Sequence, residues 1–201
     1  MLRILKNPRL IWLVLAMPAI AMVAGFVRDP VTAFDLIHPS GEFSVRLMIA
    51  AMMISPLRAI LGRRGWLDWL LANRRAFGVA ACGYGLLHLG FYLYDMGDWG
   101  MIAEEAAIFS IWTGYAAMLI FTAMAVTSNS ASQRALRANW KRLQRLVYPA
   151  ALLIALHWVY VDGGWAGMAV HFVPLLILET ARIVLMFKRR SARRATQAAA
   201  H

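Results

Sequence analysis

Apolar residues fall into six long runs separated by short polar stretches. The runs cover residues 10–27, 43–60, 76–94, 106–126, 146–161 and 168–186. The third has 19 positions; at about 1.5 Å per residue it makes a helix of roughly 28 Å, close to the hydrocarbon thickness of a bilayer. The others are similar, except that 146–161 is short. The pattern predicts an all-α bundle of six transmembrane helices forming one integral membrane domain over 1–201. The connections read as loops. Residues 28–42 carry Asp29-Pro30 and Pro39-Ser40-Gly41, and 61–75 is basic with a short amphipathic piece at 66–71. Residues 95–105 are acidic, 127–145 polar and basic, and Asp162-Gly163-Gly164 is a tight turn. Ala19-Ile20-Ala21 has the small-x-small form of a signal-cleavage site, but the apolar run continues to Val27, which suits a retained span. No internal repeat is visible.

Composition agrees. The chain is 61% hydrophobic and 15% charged, against about 45–50% and 25% in soluble domains. Its net charge of +11 would suggest nucleic acid in a soluble protein. Here the basic residues alternate with the spans, so nucleic acid is not expected as a partner, and membrane lipid is. All but three of the 21 lysines and arginines lie at one set of span ends; the exceptions are Arg28, Arg46 and Arg182. The acids Asp29, Asp35, Glu42, Asp95, Asp98, Glu104, Glu105 and Asp162 lie at the opposite ends. The positive-inside rule then places both termini in the cytoplasm. The single cysteine, Cys82, excludes an internal disulfide and a multi-cysteine metal site.

The anomalies inside the spans carry the chemistry. An ionisable ring at membrane depth needs a partner and marks a functional site by default. His88 lies six residues from the outer end of the third run and His157 four from the outer end of the fifth, roughly 9 Å and 6 Å deep. Arg46 is roughly 5 Å deep in the second. Two imidazoles at one level on two spans suit the axial ligands of a heme iron, and six-coordinate iron suits electron transfer. Arg46 is a counter-charge for a heme propionate. Gly83, Gly85 and Gly90 flank His88; they leave room for a flat macrocycle or permit close helix packing. His38 reads as a solvated loop residue and His171 as a reserve ligand. His201 lies in a tail, and Glu179 with Arg182, spaced i, i+3, reads as a structural pair.

At this point the chain resembles a known family. The pieces are His38-Pro39-Ser40-Gly41, Ile54-Ser55-Pro56-Leu57, and Arg74-Arg75-Ala76-Phe77-Gly78 with Leu87-His88-Leu89 following. Thr127-Ser128, Trp140 with Leu143, Val147-Tyr148 and His157-Trp158 complete the set. In order and spacing they resemble the heme-binding membrane subunits of the bacterial periplasmic methionine-sulfoxide reductase system, within the ferric-reductase-like transmembrane superfamily.

The resemblance implies an inner-membrane subunit that carries electrons and is not itself the catalytic subunit. Electrons would pass from quinone through heme b to a periplasmic molybdopterin-containing reductase that repairs methionine sulfoxide. Flavin mononucleotide (FMN) is also associated with the family, though no motif here shows it. One departure stands out: similar proteins have a histidine where this chain has Gln144, and an amide is a poor iron ligand. The basic inner face, with Arg74, Arg75, Trp140 and Gln144, could receive a quinone head or a flavin phosphate. The same basic residues also suit plain topology and lipid contact. Other readings are a heme carrier for a different periplasmic or metal reductase, a cofactor-free transporter or proton relay, and a structural membrane subunit. A proton path would be thin, because intramembrane charge is confined to Arg46, Glu179 and Arg182.

Overall fold

The computed structural model describes residues 8–198, all of whose regular structure is helical. The basic leader through Asn7 and His201 lie outside the described residues. The long helices are α1 (Pro8–Arg28), α2 (Ala33–Leu61), α3 (Gly65–Met96), α5 (Phe109–Val126), α8 (Val147–Asp162) and α9 (Ala166–Ala198). Three helices of seven residues, α4 (Trp99–Glu105), α6 (Ser130–Leu136) and α7 (Ala138–Gln144), fill the connections. Five helices (α1, α2, α3, α5 and α9) are long and apolar enough to cross a membrane. Helix α8 has 16 residues, or about 24 Å.

The apolar runs are helical apart from residues 106–108 and Leu146, and the four longer predicted loops are largely helical too. Residues 33–42 are the first turns of α2. Asp29 accepts a hydrogen bond from Val31 N, with Pro30 at the first position of a single 3-10 turn that leads into the helix. This is a helix-start signal. Pro39-Ser40-Gly41 does not break the helix; the Ser40 hydroxyl bonds back to the carbonyls of Leu36 (2.6 Å) and Ile37 (2.8 Å). Likewise, the amphipathic piece at 66–71 opens α3, where Asp68 pairs with Arg58 at 2.8 Å and Arg63 at 3.8 Å. The basic tail continues helically to Ala198. Glycines with the positive φ that a side chain disfavours follow three helices: Gly62 after α2 (φ 76°), Gly97 after α3 (φ 63°) and Gly163 after α8 (φ 66°).

Helices α2 and α3 form an extensively packed hairpin, α5 packs on α8, and α9 lies against α2. The core joins Met48, Ile49 and Met52 of α2 to Ala81 and Cys82 of α3, Phe121 of α5, Ala150 and Trp158 of α8, and Phe172 of α9. Helix α1 is peripheral. The Tyr84 hydroxyl inserts into its backbone ladder beside Pro18, donating to Leu15 O (2.8 Å) and accepting from Ala19 N (3.0 Å). Phe26 packs edge-on to Tyr94, ring centres 4.8 Å apart. Large apolar side chains on α1 and α9, among them Leu13, Met17, Leu176 and Ile177, face outward and exposed. Such an inside-out surface suits lipid rather than water.

Candidate cofactor site

His88 of α3 and His157 of α8 meet across a cavity of about 500 Å³ between α2, α3, α5 and α8. That size is ordinary for a cofactor site. The ring centres are 6.1 Å apart and the planes nearly perpendicular, at 88°. His88 Nδ1 bonds Ile37 O at 2.8 Å and His157 Nδ1 bonds Ser110 O at 2.6 Å. A carbonyl only accepts, so each Nδ1 carries the proton and each Nε2 keeps a free lone pair. That is the arrangement of metal-ligating histidines, whose second nitrogen is oriented by a carbonyl or carboxylate.

The fit to a heme can be tested on these distances. A linear N–Fe–N arrangement has two bonds of about 2.0 Å, and each nitrogen lies about 1.2 Å from its ring centre. The ring centres would then be about 6.3 Å apart, close to the separation found. The walls include Val45, Leu89, Met118, Phe121 and Ile154, apolar as a porphyrin face requires. Among the described residues no cluster of three or more His, Cys, Asp or Glu forms a metal site. His88 and His157 are the two imidazoles that line this cavity together with the exposed His38.

Two glycines make the histidine positions possible. A Cβ on Gly41 of α2 would lie 2.8 Å from His88 Nδ1, and one on Gly114 of α5 would lie 2.8 Å from His157 Nδ1. Both are closer than real Cβ contacts come. The glycines singled out from sequence behave differently. Gly83 and Gly90 have open space where a Cβ would be, whereas Gly85 lines the cavity, with Met118 Sδ 2.9 Å from its Cβ position. Gly114 escaped sequence reasoning, and Gly41 was read only as a turn and motif residue, because both lie on other helices than the histidines they face. The available signal was a hydroxyl residue before each, Ser40 and Thr113.

The cavity rim is polar. His38, Asp35 and Glu42 of α2 and Asp162 of α8 line it. His38 is exposed, as expected, but on a helix, 3.9 Å from Asp162. Trp158 donates to Asp162 at 2.6 Å.

Arg46 is not among the cavity-lining residues. It pairs with Glu42 and donates Nε–H to His171 Nε2 at 3.2 Å. Because α2 starts ten residues earlier than the apolar run at 43–60, the histidine level on α2 is Gly41. Arg46 is about 7.5 Å further along the axis. His171 uses both nitrogens, with Nδ1 on Gly167 O at 2.8 Å, and does not line the cavity.

The basic residues expected on the inner face, with Trp140 and Gln144, divide into two places. Arg74 donates to Ala51 O (2.8 Å) and Ser55 Oγ (3.3 Å) on α2, and Arg75 is exposed. Trp140 and Gln144 gather at the end of α5, on Thr127 O (3.0 Å) and Met124 O (3.1 Å). Glu179 and Arg182 form the expected pair at 2.6 Å, and Arg182 also donates to Tyr148 at 3.1 Å.

Residues 40–155 match the family described as "Ferric reductase like transmembrane component". The window runs from the Ser40-Gly41 pair to two residues short of His157. Among curated proteins, the protein-methionine-sulfoxide reductase heme-binding subunit MsrQ of Xanthomonas campestris pv. campestris is 36% identical over 172 residues, covering 84% of this chain and 75% of that protein. The subunit of the same name from Yersinia enterocolitica is 29% identical over 192 residues, 91% of each chain. That from Xanthomonas oryzae pv. oryzae is 34% identical over 170 residues, 83% of this chain and 74% of that protein.

Proposed function

Because the chain belongs to the ferric-reductase-like transmembrane family, as a relative of the MsrQ heme-binding subunits, we propose that it is a heme b electron-transfer subunit of the bacterial inner membrane. Its periplasmic partner would be a molybdopterin-containing reductase that repairs methionine sulfoxide, and its donor quinone. The observation that carries this reading is the histidine pair: two free Nε2 atoms across one apolar cavity, ring centres 6.1 Å apart. His88 and His157 would hold a heme there, which would supply one-electron chemistry. The protein's part is to fix the two rings, keep water from the iron and hold charge near it.

The topology supports this direction of flow. We place all six long helices across the membrane with both termini cytoplasmic, counting α8, whose short length is completed by the Gly163 turn. The histidine pair then lies in the outer half, near the acidic rim of Asp35, Glu42 and Asp162. Arg46 would act on a propionate or, through Glu42, on the rim charge. The inner groups Arg74, Arg75, Trp140 and Gln144 are where quinone, or FMN if the chain takes one, would meet the protein. Gln144 is tied to Met124 O, which favours a single heme per chain.

The test is an absorption spectrum of the purified protein with heme stoichiometry. The expected result is one low-spin heme whose Soret band shifts on reduction. A protein that is folded in detergent and shows no such band would refute the heme reading and favour a cofactor-free relay or structural subunit.

A further inference from the structure

The two histidines are held by the same three-part device on two unrelated stretches of chain. In α2 the carbonyl is Ile37, the hydroxyl Ser40 and the glycine Gly41; in α5 they are Ser110, Thr113 and Gly114. The spacing is i, i+3, i+4 in both. Each glycine lies against a histidine ring, and each carbonyl accepts that ring's Nδ1–H. The same carbonyl also accepts the hydroxyl: Ser40 Oγ to Ile37 O at 2.8 Å and Thr113 Oγ1 to Ser110 O at 2.7 Å. Ser40 and Thr113 are both fully buried, at 0% exposure.

Hydroxyls bonding back to helix carbonyls are common, and three more occur nearby: Thr122 on Met118 O, Thr127 on Ala123 O and Ser128 on Met124 O. None of those carbonyls serves a histidine. The two that do serve the proposed iron ligands.

We propose that Ser40 and Thr113 are positioning residues that set how strongly the two histidines donate to the iron. The inference rests on the heme reading above. A carbonyl that accepts a hydroxyl proton has less lone-pair density for a second donor. Its pull on the imidazole Nδ1–H is weaker, so the ring has less imidazolate character and is a weaker donor at Nε2. Weaker donation disfavours ferric relative to ferrous iron and raises the reduction potential. Outer-shell hydrogen bonding of a metal-bound histidine tunes the metal in this way. The two hydroxyls are not equal. Ser40 divides its single proton between Leu36 O and Ile37 O, whereas Thr113 directs its proton at Ser110 O. Thr113 therefore acts more strongly on His157 than Ser40 does on His88.

The experiment is redox titration of the heme-loaded full chain for wild type, T113V, T113S, S40A and T122V, followed by the low-spin spectrum. T113V removes the hydroxyl at nearly constant shape. Its midpoint potential should fall, and S40A should fall less. T113S keeps the hydroxyl and T122V removes one that bonds a carbonyl without a histidine, so both should match wild type. Unmoved or raised potentials in T113V and S40A, at full heme occupancy, would overturn the proposal. So would an equal fall in T122V. If T113V does not fold, S40A carries the same test on the other ligand. Failure of the heme reading is separately visible, because wild type itself would then bind no heme.

Discussion

Replacing Gly114 with alanine should weaken heme binding although alanine is the better helix former. The added Cβ would lie 2.8 Å from Nδ1 and 2.9 Å from Cε1 of His157. Ordinary contact begins at about 3.4 Å, so the ring must retreat by about 0.6 Å. Retreat stretches the 2.6 Å bond to Ser110 O toward the limit for N–H···O geometry. Over-packing costs about 1–3 kcal/mol, and a lost buried hydrogen bond about 1–3 kcal/mol more. Removing a glycine from a helix returns about 0.5–1 kcal/mol. The net, about 1–5.5 kcal/mol, amounts to a roughly five-fold to ten-thousand-fold loss of affinity if it falls wholly on the heme-bound state. The assay is heme content after purification, with the rate of heme transfer to an excess of scavenger protein. G41A should behave alike at His88. G83A and G90A are controls, since their Cβ positions are open. Full heme content and an unchanged transfer rate in G114A would refute the cradle argument.

H88A or H157A should each abolish the low-spin six-coordinate spectrum, because each removes one axial ligand; the check is the spectrum of the reduced protein. R46L should lower the midpoint potential, because Glu42 on the cavity rim loses the arginine paired with it and unbalanced negative charge opposes reduction; redox titration reads the shift. In sealed vesicles of known orientation, chemically reduced heme should be reoxidised fast by an impermeant acceptor added to the periplasmic face. Fast reaction only from the cytoplasmic face would refute the outward placement. Docking of a basic partner on the acidic rim should weaken with added salt, measured as binding across an ionic-strength series.

The two histidines that line the cavity were legible in the sequence for a simple reason: an imidazole in an apolar run is costly, so its presence stands out. Hydropathy located the long helices, five of them long and apolar enough to cross a membrane. What supports the histidines was not legible, because it comes from other helices. Ile37 O and Ser110 O are backbone atoms, and no residue identity announces them. Gly83 and Gly90 were near His88 in sequence but point elsewhere on the α3 circumference. Arg46 seemed level with the histidines only because α2 was read as starting at residue 43. Its true start is signalled by Asp29-Pro30, and Pro39-Ser40-Gly41 masked it by looking like a turn.

The paired cradles have a consequence for biogenesis. Everything that holds His88 lies in α2 and α3, which are consecutive in the chain, and everything that holds His157 lies in α5 and α8. The first socket is therefore complete once α3 has been inserted, while the second is still being translated. A heme held by both rings would thus brace two helix pairs made at different times, which the shared core also joins.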